Sequence, residues 1–560
     1  KIGLTLASTI NSTNDSFKQY LGPSTSPSFN FTLITETTIK NMIDNLHSKT
    51  STSSDEINTI LIKYLKTELS APLTLITNQM ITTGIFPDKL KIAKVLPIFK
   101  KGDKHECGNY RPISILPAIS KIFEKVLLYQ LNQHFETNNL YYNSQYGFRK
   151  KRSTEHATLE LIDRITLDID KNKTPLSIFL DLSKAFDTLN HDILIDKLSH
   201  YGITGKSQEL CNSYLTNRQQ YLHQNNTSSE LKQITTGVPQ GSILGPFFFL
   251  IYVNDFNRCC QDFSMIHYAD DTTLTTTINT SQTSNNSDDL NNKLQHIHTW
   301  LKDNKLLLNI NKTKFMIFHT PQKRITIPNL LIDNTPIQNV ADFNFLGITI
   351  NQHLSWKPHQ QKISSKMSKF TGVLNKLKHQ LPNYILLKIY HSLILPHFNY
   401  GVLVWCHNPN SIFKLQKRIV RIITNSRYNS HTDPLFKRLN LLKISDIRQY
   451  FELKFFHKLT NSQTPEYFQQ NFISSNQDIH RIQTRHSQEL SVPTHHHHFF
   501  QTTLRYTLVK TVNHTPQHLI ELLQTHSLPS FSSRIKQYLI QQYSDHCQIP
   551  NCPICANGLL

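Results

Sequence analysis

The run from Phe263 to Thr277, FSMIHYADDTTLTTT, constrains the fold of this chain more than any other stretch. Aromatic and β-branched residues flank an Asp pair, the pattern of a strand, a tight turn and a second strand. A chain organised around such a hairpin carries an antiparallel sheet. Its turn also carries two adjacent carboxylates, Asp270 and Asp271, which repel each other. A positive group normally sits between such a pair, and a hard divalent cation is the usual one. A plain solvent-exposed turn is the other reading, since Asp is common in turns.

A second carboxylate bears on the choice. Residues 176–182 read as a buried strand with a single charge, Asp181, at its C-terminal end. A lone Asp there is costly unless it is solvated, paired or metal-bound. It can also cap a following helix, and Ser183 predicts a helix start running through Phe186 and Asp187. Beside the hairpin, Asp181 completes a set of three carboxylates. Three can hold two Mg²⁺ ions, an arrangement that suits phosphoryl transfer. The loop from Gly237 to Gly241 brackets Pro239 and Gln240 between glycines that permit close backbone approach to a substrate. Gln240 there can hydrogen-bond a base or a sugar edge. An apolar helix over 244–256 then leads into the hairpin.

Charge favours a polyanionic partner. The 560 residues carry a net +20. Residues 89–152 hold 13 basic and 4 acidic side chains, and residues 357–438 hold 14 and 1. Two basic segments around a near-neutral middle fit a nucleic-acid channel with an acidic centre, or else two solvated basic faces. Hydrophobic residues at 38% exclude a disordered chain. The 8 cysteines are sparse in the body and bunched at the end, which is not a secreted disulfide framework and favours a reducing compartment. The longest apolar run, Ile243 to Val253, is too short to span a bilayer and contains Pro246. The first residue is Lys, and the chain reads as a piece of a longer polypeptide.

Along the chain, residues 1–55 are rich in Ser, Thr and Asn and read as a linker or the tail of something upstream. Helical spacing is predicted over 56–82, 118–135, 154–169 and 286–303, and strands over 93–99 and 345–350. Residues 214–236 read as a hairpin region, and 306–318 as strand-like around a small turn. From Lys362 onward the pattern is helical: a stripe stopped by Pro382, a second helix to Leu395, and a basic third helix over 415–424. Residues 461–545 are more polar and weakly patterned. The His495–His498 run reads as low complexity.

FLDLSKAFD (179–187), GVPQGSILGP (237–246) and YADD (268–271), in this order and spacing, resemble the A, B and C motifs of reverse transcriptases. The likeness is to non-LTR (LINE-type) retrotransposons, most of all the jockey/CR1-like branch. FPDKLKIAKVLPIFKKGD, NYRPISILPAISKIFEKVL and SQYGFRKKRST are similar to that family's finger segments. LNINKTKFMIF and FLGITI resemble its motifs D and E, and residues 388–424 its thumb. The resemblance covers about 55–460. It implies an α+β right-hand polymerase with fingers over 56–175, palm over 176–350, helical thumb over 351–460 and a C-terminal region over 461–560.

The resemblance also implies roles. Asp181, Asp270 and Asp271 would be the Mg²⁺ carboxylates. Phe186 matches the bulky position that clashes with a ribose 2′-OH, so deoxynucleotides should be preferred. Asp187 would be structural, capping or salt-bridging. Gln240 and Gly241 would line the template–nucleotide pocket, and Tyr268 and Ala269 would lie nearest the primer end. Arg111 and Arg149, with Lys100 and Lys101 nearby, match positions that reach triphosphate oxygens, and Arg suits phosphate through its fork of donors. Lys312 or Lys314 could protonate the leaving pyrophosphate, and either could equally be a surface Lys. In the tail, His546, Cys547, Cys552 and Cys555 suit a Zn²⁺ knuckle; unpaired cysteines on a frayed tail are the other reading.

The function so implied is an RNA-directed DNA polymerase that extends a nicked-target 3′-OH on element RNA. Its partners would be an RNA template, a DNA primer and dNTPs, with no membrane. Its place would be nuclear, at the chromosomal target, after a cytoplasmic RNA-bound phase. A catalytically silent relic that only binds nucleic acid is the alternative, and an intron maturase or telomerase-like polymerase would share the chemistry. The upstream endonuclease common in the family has no counterpart in residues 1–55, and no RNase H-like carboxylate set follows the thumb segment.

Overall fold

A computed structural model describes residues 16–23, 26–225, 227–278, 283–476 and 489–545. Two five-stranded sheets hold most of its described strands. β1 (Ile92–Phe99) and β2 (Tyr110–Ile115) pair antiparallel, with Val95 opposite Ser114 and Ile98 opposite Arg111. β3 (Thr174–Leu180) starts the second sheet. The chain then returns to the first with β4 (Arg218–Gln224), β5 (Thr227–Ser228) and β6 (Lys232–Ile234). β4 runs parallel to β1, Ile92 opposite Gln219, and antiparallel to β5 and β6. Residues 218–234, grouped with the acidic hairpin on sequence, therefore join the sheet of the preceding segment. The long-range β1–β4 pairing decides this, and no local pattern reports it.

The second sheet adds β7 (Ser264–Tyr268), β8 (Asp271–Ile278) and β9 (Lys314–Ile317). A small hairpin, β10 (Leu331–Ile332) with β11 (Thr335–Pro336), precedes β12 (Gln338–Asn339). The order across the sheet is β12–β9–β3–β8–β7. Because side chains alternate along a strand, a sheet covered on both faces splits its residues between two cores. Leu176, Ile178 and Leu180 of β3 join one core with Met265, Leu274, Phe315 and Ile317. Phe179 joins the other with Ile266, Met316 and Phe318. The helices Ala118–Thr137, His191–His200 and Gly245–Tyr252 bury apolar residues in the first core. The helix Thr154–Asp170 covers the opposite face. The acidic hairpin, β7 with β8, forms one edge of this sheet.

Beyond β13 (Asp342–Phe345) and β14 (Ile348–Asn351) the chain is helical. The helix Lys357–Leu377 packs against Asn410–Ile423, and Ile444–Thr460 packs against Leu504–His514 and Leu528–Gln541. Among the described residues, no helix is long and apolar enough to cross a membrane.

Four local expectations are corrected. The described part of residues 1–55 is not a linker: Phe17, Phe29, Phe31, Ile39 and Ile43 are buried in the first core, and Glu36–Asp44 is a helix. Ile39, Met42, Ile43 and Leu46 recur at helical spacing, a period overshadowed by the Ser/Thr/Asn-rich composition around it. No helix starts at Ser183; Lys184 takes the left-handed region at φ 51°, residues 185–187 form a turn, and the helix begins at His191. Asn190 is its cap, accepting from the Ile193 N–H at 3.0 Å. Residues 345–350 are not one strand. Leu346 and Gly347, at φ 45° and 87°, make the turn of the β13–β14 hairpin. Residues 489–545 are packed rather than loosely patterned, with Leu508, Phe531 and Ile535 fully buried.

Candidate active site

The site grows from three strand ends. β7 and β8 pair up to Tyr268 opposite Asp271, leaving a turn of two residues, Ala269 and Asp270. Ala269 sits at φ 55°, the left-handed region that two-residue hairpin turns require. β3 pairs with β8 as far as Leu180 opposite Thr272. Asp181, the next residue, therefore emerges level with Asp271. The Asp181 carbonyl accepts from the Asn309 N–H at 2.8 Å, which ties the strand end to the segment before β9.

A cleft of about 740 Å³ opens over these ends. Asp181, Asp270, Phe186, Gln240, Gly241 and Arg111 line it, together with Lys100 and Lys312. Burial raises the pKa of Asp270, and the Asp181 charge adds to this, while Arg111 and Lys100 oppose it. Asp271 has its tip in solvent but is enclosed by protein over much of its shell. That burial, with Asp270 and then Asp181, pushes its pKa up to about 6. Carboxylates that raise one another in this way have an unmet demand for positive charge, and an all-oxygen donor set matches Mg²⁺. Among the described residues, no group of three His, Cys, Asp or Glu side chains is drawn tightly enough to hold a metal ion as it stands. Asp181 pairs instead with Lys312, Nζ to Oδ2 at 3.5 Å. With 65% and 40% of the two side chains exposed, this pair is weak and easily given up.

The other residues singled out on sequence divide in two. Gln240 is held over the cleft: its Nε2 donates to Asp187 Oδ1 at 2.9 Å, and its carbonyl accepts from the Ser114 N–H at 2.8 Å. Burial raises the Asp187 pKa, while the hydrogen bond from Gln240 and the charge of Lys184 oppose the rise. Gly241, at φ 126°, lies where a Cβ would come within 2.5 Å of the Ser114 carbonyl oxygen, so only glycine fits.

Arg149 is not in the cleft. Its guanidinium donates to Glu136 at 2.9 Å and to the Tyr142 carbonyl at 3.1 Å, and lies over the Tyr141 ring. A nearby carboxylate and an aromatic face outbid open solvent for it. Lys101 is exposed in the β1–β2 turn and does not line the cleft. Lys314 donates to the Asn311 carbonyl and Gln338 Oε1, which leaves Lys312 as the cleft lysine of the two. Ala269 is buried and Tyr268 half-buried, so the turn presents Asp270 rather than these two. His546, Cys547, Cys552 and Cys555 lie outside the described residues.

Sequence reasoning missed the loop that grips the turn. Tyr146 N–H donates to the His267 carbonyl at 2.7 Å, and His267 N–H to the Ser144 carbonyl at 3.0 Å. Gln145 Oε1 accepts from Gly147 N–H at 2.8 Å and Ala269 N–H at 3.4 Å. His267 Nδ1 bonds Thr272 Oγ1 at 2.8 Å across the hairpin, and full burial pushes its pKa down to about 3, so it stays neutral. The glycine in SQYGF was the available signal, because a loop glycine often marks close backbone approach.

Comparison with known proteins places this site in a matched segment. Residues 98–350 match the family described as reverse transcriptase (RNA-dependent DNA polymerase). This stretch contains the three aspartates, Phe186 and Gln240. The chain is similar, at 27% identity over 427 residues (72% of this chain, 46% of the relative), to the probable RNA-directed DNA polymerase from transposon BS of Drosophila melanogaster. It is 26% identical over 408 residues to the corresponding X-element protein of the same organism, covering 70% of this chain and 44% of that one. With the RNA-directed DNA polymerase from mobile element jockey, also of Drosophila melanogaster, it shares 25% over 462 residues, 79% of this chain and 49% of the relative. Residues 98–350 thus resemble the reverse transcriptase family, and the chain as a whole is similar to the polymerases of these mobile elements. It spans about half the length of these relatives.

Proposed function

We propose that the protein is an RNA-directed DNA polymerase that copies the RNA of a non-LTR retrotransposon into DNA, extending the 3′-hydroxyl of a nicked chromosomal target. One observation carries the reading: a single cleft gathers Asp181 and Asp270 with Phe186, Gln240, Arg111 and Lys312. In this reading the first sheet and residues 16–175 act as fingers, the β3-centred sheet as palm, and the helices of 357–460 as thumb.

Asp181, Asp270 and Asp271 would hold Mg²⁺, which when bound activates the 3′-hydroxyl and neutralises the triphosphate and leaving pyrophosphate. The residues of the chain supply the rest. Arg111 and Lys100, both on the cleft, attract the triphosphate. Phe186, stacked on Phe249 at 4.7 Å and 27°, presents a ring to the cleft that would clash with a ribose 2′-OH. Gln240, fixed by Asp187, meets the base or sugar edge. Lys312 stands beside Asp181, where it can give a proton to the departing pyrophosphate.

Primer extension by the purified protein on an RNA template, with Mg²⁺ and dNTPs, tests the proposal. Extension is expected to fall at least about 10³-fold in Asp270→Asn, as for loss of a group that stabilises the transition state. No extension above that control, with salt-dependent RNA binding retained, would favour a silent nucleic-acid-binding relic instead.

A further inference from the structure

We propose that Phe148 is a specificity-determining residue: with Phe186 it forms the second wall of the slot that receives the sugar of the incoming nucleotide. The inference rests on the reading of Phe186 as the residue that excludes ribose.

Phe148 is anomalous three times over. It is a large apolar side chain left 54% exposed. It takes φ 55°, a left-handed conformation that a bulky residue adopts only when its surroundings impose it. It lines the same cleft as Asp181, Asp270 and Phe186. An exposed ring held in an unfavourable backbone conformation at a reaction centre points to a ligand contact, because packing does not repay the strain.

The surroundings show how the conformation is imposed. On one side, Gly147 presses on the acidic turn so closely that a Cβ would lie 2.3 Å from the Ala269 nitrogen, and its own N–H is tied to Gln145 Oε1 at 2.8 Å. On the other, Arg149 is tied down by Glu136 and the Tyr142 carbonyl. Phe148 is the one residue between two anchors, and its ring is forced toward the cleft. There it meets Phe186 edge to face, centroids 6.3 Å apart at 89°, while Phe186 lies flat on buried Phe249. The three rings make a corner: Phe249 backs Phe186, and Phe148 closes the open side. Since Gly147 rests on the turn that bears Asp270, the wall is referenced to the reacting end of the cleft.

The left-handed φ supplies a clean test. Phe148→Gly removes the ring and relieves the backbone, so its melting temperature should equal or exceed that of the parent. Single-nucleotide incorporation of dNTP and rNTP by the purified chain should show the dNTP preference reduced about tenfold, with the KM for dNTP raised more than kcat is lowered. Phe148→Tyr, which keeps the ring, should retain the preference. Phe186→Val is run in parallel and should reduce it as well. Relaxed discrimination in Phe186→Val with none in Phe148→Gly overturns the role of Phe148 and leaves the Phe186 reading standing. Unchanged discrimination in both overturns the Phe186 reading and this inference with it.

Discussion

Asp271 shows how a single residue sets the working conditions of the site. Burial and two neighbouring carboxylates raise its pKa from 3.8 to about 6. A carboxyl raised in the folded state binds its proton more tightly there than when unfolded. Without metal, the folded state is therefore penalised as pH climbs from about 4 through about 6. A cation competes with that proton. At limiting Mg²⁺, extension should rise with pH through about 6, and saturating Mg²⁺ should move the acid limb to lower pH. Rates measured from pH 5 to 8 at two Mg²⁺ concentrations check this, and a limb that ignores Mg²⁺ would count against Asp271 as a ligand. Asp181, Asp270 and Gln240 were legible in the sequence, because a charge in an apolar strand or turn or a Pro-Gln between glycines is a local anomaly, whereas Phe186 was singled out only by the family resemblance. The turning away of Arg149 was not, since Glu136 and Tyr141 are brought to it only by the fold.

Among the elements, the β7–β8 hairpin is held from both sides. β3 pairs along β8, and the loop 144–147 bonds to β7 and presses on the turn. Gly147→Ala would drive a methyl group into backbone at 2.3 Å, which neither partner can avoid. A loss of about 1–3 kcal/mol in stability is expected. Because the displaced group is the turn itself, extension should drop more than the fraction of folded protein does. Denaturant titration beside single-turnover kinetics separates the two, and an equal loss in both would show that the loop only supports folding. Behind the hairpin, Lys197 is fully buried, bonding Asp255 and the Tyr252 carbonyl at 2.6 Å each, with Trp300 Nε1 on the other Asp255 oxygen at 3.3 Å. This closed network fixes the end of the helix that feeds β7. Its strands and helices were readable from periodicity, whereas the pairing partners of β4 and the docking of residues 16–49 were not.

Across the whole molecule, the C-terminal helices act as a brace. Arg505 donates to both oxygens of buried Asp163 at 3.0 and 2.6 Å, Tyr467 adds a third bond at 2.6 Å, and Asp170 caps the N–H groups of His496 and His497. Arg448 joins the Cys406 carbonyl, Glu452 and Thr507 in the same seam. The bonds to Asp163 and Asp170 tie Tyr467, His496, His497 and Arg505 to the helix Thr154–Asp170 behind the second sheet, and Arg448 links the helix Ile444–Thr460 to Cys406 and to Thr507. Arg505→Leu leaves the Asp163 charge buried without its cation, at a cost of about 3–5 kcal/mol. Limited proteolysis should then cut within 461–545 at protease levels the parent withstands. Unchanged protection would show that the region is held by its apolar contacts alone.

The sequence alone singled out Asp181, Asp270 and Gln240, which share one cleft, because a charge at a strand end or in a turn and a glycine-bracketed Gln are properties of residue type and spacing. It was enough for most helices and for the acidic hairpin, because burial imposes a period that one strand or helix shows by itself. Whether the described part of 1–55 is a linker, which sheet takes β4 and β6, which lysine meets Asp181 and where Phe148 points were decided by tertiary structure. Each depends on a partner far along the chain, and energies set between distant residues leave no local pattern to read.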